Sequence, residues 1–415
     1  ASPPAAAAVV AIPADPRLAA DLASFDVMWQ RVHDSFYDPT FGGLDWAAVK
    51  TELRPKVAAT TTREDTRKIM NEALERLGKS HFGVWGGKEL EDAAESAPRG
   101  DADVGLDIRI LGGAAIVVRV EAGSSATGKV GLGAKLVAID DKELAPRLAA
   151  IAKALDGAKI TPLLQSRAVL ALMQGAVDSQ VKLTFETAGK RAARVTLPRR
   201  PPAGRMVSLG NLGPAPLVYE ARWLDKQVAY IRLSIFLDPA TVVPAIARDL
   251  ELFAKARGVI FDLRGNPGGL GGMAMGIGGH LISDDNKKLG TMRSRQTSLD
   301  FVINPQSARY AGKVAVLVDE LSASTSEIFA GGLQDLKRAR VFGRRTPGAA
   351  LPSVIEELPN GDRFQYAVAD YVSVSGTVLE GEGVTPDEPI VLDPRLLRAG
   401  KDPDVLAATR WIMRR

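Results

Sequence analysis

The stretch VDELSASTSEIFAGGLQD, Val318 to Asp335, places Ser322, Ser324 and Ser326 at alternate positions where an apolar run gives way to a helical pattern rich in alanine and glycine. A serine at a strand-to-helix turn can present its hydroxyl for nucleophilic attack, and the helix N-terminus favours negative charge beside it. The same residues serve equally as helix caps: serine is a preferred cap, and Glu327 stands where a capping box would use it. A nucleophilic serine also needs a base within hydrogen-bond reach, and the imidazoles available are His33, His81 and His280. His33 falls in a helical pattern and His280 follows the apolar MGIGG, both suited to packing. His81 lies in the polar turn KSHFG beside Ser80, whose hydroxyl can fix the tautomer of the ring, although a structural role suits a lone histidine as well.

A second loop, FDLRGNPGGLGG, follows an apolar run and opens onto a helical pattern. Its glycines would let backbone N–H groups face an anion, and a plain tight turn would use them too. It lacks the lysine of a P-loop and the spacing of a dinucleotide fingerprint. Asp262 inside it is expected to be buried and paired with Arg264 or backbone, and Asp335 to serve structure. Scattered histidines and the absence of cysteine point to no metal site, and no cofactor is expected.

The elements that must position these residues change character along the chain. From Pro16 to about Gly87 the pattern is helical: LAADLASFDVMWQRVHDSFY repeats apolar residues every three or four positions, and TREDTRKIMNEALERLG opens on a threonine cap and stops near Gly78. Between about Pro98 and Arg200 short β-branched runs take over, ending in a hairpin with Ala188, Gly189 and Lys190 at its turn. After PRRPPAG, strands alternate with helices from about Pro214 onward, the order of an α/β unit with a largely buried sheet.

Composition narrows the partners. The 53 basic and 49 acidic residues leave a net charge of only +4, without basic runs interleaved with aromatics, so nucleic acid is not an expected partner. No apolar run reaches the ~18 residues that cross a bilayer, so an integral membrane protein is not expected. The opening ASPPAAAAVVAIPADP reads as a flexible lead-in over 1–15 after a signal peptide, and the expected location is the bacterial periplasm or cell envelope.

Taken in order and at their separations, DLRGNPGG, VDELSASTSEIFAGGLQD, LPNGDRFQYAVADY and LEGEGVTPD resemble the motifs of C-terminal-processing and tricorn-type serine peptidases. The resemblance covers nearly the whole chain after the lead-in. It implies an α/β fold class: a crotonase-like (ClpP/crotonase) catalytic domain over 214–415, an N-terminal helical domain over 16–90 and a β-rich PDZ-like domain over 98–200. In the PDZ-like part, Gly105, Leu106, Asp107 and Ile108 match the peptide-carboxylate loop, whereas Ala134 and Lys135 depart from the usual glycine and aspartate.

The resemblance assigns the nucleophile to Ser324. Processing members take their base from a lysine, but Ala349 stands at that position here and Ser353 replaces the glutamine that follows it. The tricorn-type arrangement is matched instead: His81 as base, Ser80 beside it, and Glu380 as the orienting acid, with Glu382 as the competing assignment. Gly268 and Thr325 would supply the oxyanion hole. The implied function is an endopeptidase acting on polypeptides, with capture through free C-termini and a homo-oligomeric assembly as expectations. A catalytically silent binding protein on the same fold, or a hydrolase of esters or cell-envelope peptides, are the competing readings.

Overall fold

The computed structural model describes residues 15–86, 102–156, 158–186 and 192–414. The lead-in, apart from Asp15, and the turn at 188–190 lie outside the described residues.

The described chain forms two units. The first begins with three helices whose starts are set by side-chain caps: Asp15 accepts from Arg17 N–H before Pro16–Ser35, Asp45 from Ala48 N–H before Trp46–Ala58, and Thr62 from Asp65 N–H before Arg63–Glu75. Phe25, Met28, Val32, Leu53, Met70 and Leu74, spaced at helical intervals, bury together. A three-stranded antiparallel sheet closes this core, with Arg363–Ala367 between Gly83–Trp85 and Ser353–Glu357.

The segment 352–369 therefore belongs with the N-terminal helices and not with the α/β unit to which the sequence pattern joins it. Phe364 and Tyr366 enter the helical core, and Arg67 makes a paired contact with the buried Asp362 at 2.9 and 3.0 Å. Burying two aromatic side chains is worth roughly 1.5–3 kcal/mol each, which outweighs sequence proximity to the α/β strands.

The second unit contains both remaining architectures. An antiparallel sheet runs in the order Leu106–Leu111, Ala114–Val120, Lys135–Ile139, Gln180–Glu186, Ala192–Pro198, with helices Leu144–Ala154 and Thr161–Met173 in the connection between its third and fourth strands. A six-stranded sheet follows, in the order Tyr219–Trp223, Val228–Leu233, Gly258–Asp262, Lys313–Val318, Ala339–Gly343, Glu388–Pro389. Its first pair is antiparallel and the rest are parallel. Val228–Leu233 and Gly258–Asp262 are buried at every position, as strands covered on both faces must be. The chain leaves Gly258–Asp262 and Lys313–Val318 at the same edge of this sheet, so the glycine loop and the serine turn emerge side by side at the carboxyl ends of adjacent parallel strands, the usual place for a site in α/β sheets.

Candidate active site

The three serines part company in the structure. Ser322 is fully buried and its hydroxyl donates to Leu263 carbonyl at 2.8 Å; Ser326 is fully buried and donates to Asn266 carbonyl at 2.9 Å. Both therefore stitch the serine turn to the glycine loop. Ser324 alone keeps partial exposure, and its backbone is strained, with φ 56° and ψ −118°. A side chain in that conformation costs on the order of 1–3 kcal/mol and persists only where surrounding contacts impose it, as at the elbow of a nucleophile.

Those contacts can be named. Ser324 N–H is shared between Ala349 carbonyl at 2.8 Å and Glu327 Oε2 at 3.0 Å, so Glu327 does act toward the helix start as a capping acid. The helix Thr325–Asp335 then runs back through the core, burying Ile328, Phe329 and Leu333.

The glycine loop wraps the other side of Ser324. Gly268 has φ 103°, and a Cβ placed there would sit 2.6 Å from Ser324 Cβ and 2.9 Å from Thr325 N, so glycine is required both by conformation and by space. The fold thus brings together Ser324, Gly268 and Thr325. Gly268 N–H is itself held by Asn266 Oδ1 at 2.8 Å. Beneath the loop, Asp262 is buried against Arg264 and Tyr230; burial opposes its charge, but the adjacent Arg264 guanidinium holds its pKa well below the usual carboxylate range.

Asp319, at the root of the serine turn, accepts from Gly265 N–H at 3.0 Å and Leu321 N–H at 3.0 Å, and from Arg109 Nε at 2.6 Å. Arg109 comes from the edge strand of the antiparallel sheet and is itself buried. Burial opposes the Asp319 charge, but the Arg109 and Arg344 guanidiniums hold its pKa below the ordinary range. On the same strand, Leu106 and Ile108 point into the core, Asp107 pairs with Arg109, and Gly105, with φ 72°, packs against Ser124. The side chains of Leu106 and Ile108 are thus occupied by packing, and what the strand offers outward is backbone.

The two glutamates near the C-terminus are in different settings. Glu380 is partly buried and its Oε2 accepts Ala350 N–H at 3.2 Å, on the residue after Ala349. Glu382 is exposed, bound by Lys159 at 2.8 Å and Arg345 at 2.9 Å; the Lys159 hydrogen bond is foremost in holding its pKa below the ordinary value. Asp335 accepts from Ser375 N–H at 2.8 Å, a structural contact.

In the first unit, Ser80 Oγ and His81 Nδ1 lie 2.7 Å apart. With Nδ1–H donating to the hydroxyl, Nε2 is left as the basic nitrogen. His81 has φ 61°, a second non-glycine residue in the left-handed region among the candidates, and Phe82 beside it packs edge-on to Phe36 at 5.6 Å between ring centres. His33 is half exposed, stacked on Trp29 and bonded to Asp34; His280 lies 3.2 Å from Ala308 carbonyl. The described residues hold no cluster of three or more metal-ligating side chains, and no described helix is long and apolar enough to cross a membrane.

Comparison with known proteins decides the family. The Peptidase family S41 description matches residues 227–390, spanning the glycine loop and the serine turn, and the Tricorn protease C1 domain description matches residues 22–75. The carboxyl-terminal-processing protease of Synechocystis sp. is 28% identical over 368 residues, covering 87% of this chain and 78% of that protein. The chain belongs to the C-terminal-processing and tricorn-type serine peptidases. As a member of this family it is a serine-type peptidase. Its mixed α/β fold is similar to that of the photosystem II D1 C-terminal processing protease, with 22% identity, a TM-score of 0.58, and coverage of 94% of this chain and 96% of that one. It is also similar to mature CPAF, with 14% identity, a TM-score of 0.66, and 96% of each chain covered.

Glu327 is the residue at this site whose reach was not legible in sequence beyond a cap. Its second set of contacts, to 346–349, joins segments about twenty residues apart.

Proposed function

We propose that the chain is a serine endopeptidase in which Ser324 is the nucleophile and His81 the general base. It would comprise an N-terminal helical part, a PDZ-like module over 98–200 and a crotonase-like catalytic part. In this mechanism His81 Nε2 takes the Ser324 proton as Oγ attacks the scissile carbonyl, and the oxyanion that forms is met by backbone N–H of Thr325 and by Gly268 N–H, which must first exchange its bond to Asn266 Oδ1 for one to the oxyanion. Collapse of the tetrahedral adduct expels the amine, which takes the proton from His81. Water then attacks the acyl-enzyme by the same relay and frees the acid. Ser80 holds the ring through Nδ1, and Glu380 steadies the imidazolium through Ser80.

The observation that carries this reading is the strained, partly exposed Ser324 between two buried serines that are tied to backbone carbonyls. Ala349 offers a methyl group where processing members hold a lysine, which leaves an imidazole as the base. The PDZ-like module would capture polypeptides by adding them to the Leu106–Leu111 edge, and free C-termini are the proposed handles.

Digestion of a mixed peptide library, read by mass spectrometry for the native chain beside Ser324→Ala, tests this. Cuts confined to the native chain are expected. A folded native chain that makes none overturns the proposal.

A further inference from the structure

The proton relay proposed above does not use Glu327, yet its carboxylate is bonded directly to the Ser324 backbone. It is fully buried at the third position of its helix. Four donors converge on the carboxylate: Oε2 accepts Ser324 N–H at 3.0 Å and Ala349 N–H at 3.0 Å, and Oε1 accepts the Thr346 hydroxyl at 2.6 Å and Gly348 N–H at 2.9 Å. An ionised carboxylate has lone pairs for all four, whereas a proton on either oxygen displaces one of them.

No cation is hydrogen-bonded to this carboxylate among the described residues, and the charged groups on the surrounding segments are committed elsewhere. Arg264 of the glycine loop binds Asp262, Asp402 and Asp404; Arg344 binds Glu320 and Asp404. Arg345 binds Glu382, and Glu380 accepts from Ala350 N–H. Asp319 and Glu320 at the root of the turn are held by Arg109 and Arg344. Backbone dipoles and one hydroxyl therefore carry the Glu327 charge.

The four bonds also form a mechanical unit. Ser324 N–H reaches Glu327 and the Ala349 carbonyl together, while Ala349 N–H returns to the same Glu327 oxygen. The strained Ser324 backbone is thereby locked to the turn Thr346–Ala349.

We infer that ionised Glu327 is a positioning residue that holds Ser324 in its reactive backbone conformation through this turn, and that proton uptake by Glu327 releases the turn and silences the enzyme on acidification. The inference rests on Ser324 being the nucleophile. Burial, working against the hydrogen bonds, pushes the Glu327 pKa up to about 7, so the switch operates near neutrality.

The test is the pH profile of kcat/KM from about pH 5 to 9 on a peptide the native chain cuts. With Glu327 and the imidazole both required unprotonated, the acid limb rises with a slope of about 2. Glu327→Gln lowers kcat by about 10- to 100-fold with KM little changed, as misplacement of a nucleophile does, and reduces the slope to about 1. Thr346→Val, a milder change that keeps the carboxylate, removes one donor and moves the acid limb to higher pH by about half a unit or more; it also carries the test if Glu327→Gln does not fold. A native slope of 1, with the rate and profile unmoved in the variants, overturns the role of Glu327 alone. Ser324→Ala cutting as fast as the native chain overturns the nucleophile and the role of Glu327 with it.

Discussion

Ala349 is bonded to the Ser324 turn through both of its backbone polar groups: its carbonyl accepts Ser324 N–H at 2.8 Å, and its own N–H reaches Glu327 Oε2, which accepts the same Ser324 N–H. The position to which the resemblance assigns the lysine of processing members is here a backbone brace for Ser324. Several consequences are measurable.

Replacing Ser324 by glycine abolishes cleavage and raises stability. The φ of 56° is unstrained for glycine, and the strain relieved exceeds the extra chain entropy of glycine in the unfolded state by about 1 kcal/mol. Urea unfolding of the native chain and Ser324→Gly would show the gain as a higher midpoint.

Ser322→Ala leaves a different signature. The buried Asp319 N–H loses its acceptor and Leu263 carbonyl one of its two donors, Asn266 N–H remaining, which costs about 1–3 kcal/mol, while the reacting groups stay in place. A lowered unfolding midpoint with kcat within a few-fold of native at low temperature is the expected pair of results.

The two glutamates can be told apart kinetically. Glu382 is exposed and bound only by surface cations, so Glu382→Gln changes kcat by less than about twofold. Glu380→Gln lowers kcat by about tenfold or more, because the imidazolium formed during attack loses its stabilising acid. Equal effects in the two variants would contradict the assignment of Glu380.

Stability should also depend on pH through Glu327. Its folded pKa of about 7 lies above the ordinary 4.5, so the folded state binds the proton more tightly than the unfolded state. The corresponding stabilisation is fully present below about pH 4.5 and is lost as pH rises through about 7, a change on the order of 3 kcal/mol. Denaturant midpoints of native and Glu327→Gln across this range should diverge in slope. The ionised carboxylate that positions Ser324 is thus held at a cost in stability, as functional groups often are.

How far the sequence foretells this site depends on which forces set each part. Helix starts at Pro16, Trp46 and Arg63 follow from Asp15, Asp45 and Thr62, because caps act over three residues and leave a local signature. The alternation of Ser322, Ser324 and Ser326 marks the turn, but burial distinguishes the three, and burial is a tertiary property; the resemblance to known peptidases, not the spacing, singles out Ser324. Glu327 is legible as a cap toward Ser324 and illegible as a clamp on Thr346–Ala349, since that contact needs two parallel strands to deliver their loops to one edge. The segment 352–369 misleads for the same reason: its strand pattern is plain, but the core that receives Phe364 and Tyr366 lies nearly three hundred residues earlier in the chain.

The central claim, Ser324 as nucleophile activated by His81, is tested most directly by trapping. The native chain, His81→Ala and Ser324→Ala are treated with a fluorophosphonate and the modified residue is located by peptide mass spectrometry. The account predicts a single adduct on Ser324 in the native chain, formed at least about a hundredfold more slowly in His81→Ala and absent in Ser324→Ala. An adduct on another serine, or labelling of Ser324 at the native rate in His81→Ala, would contradict it.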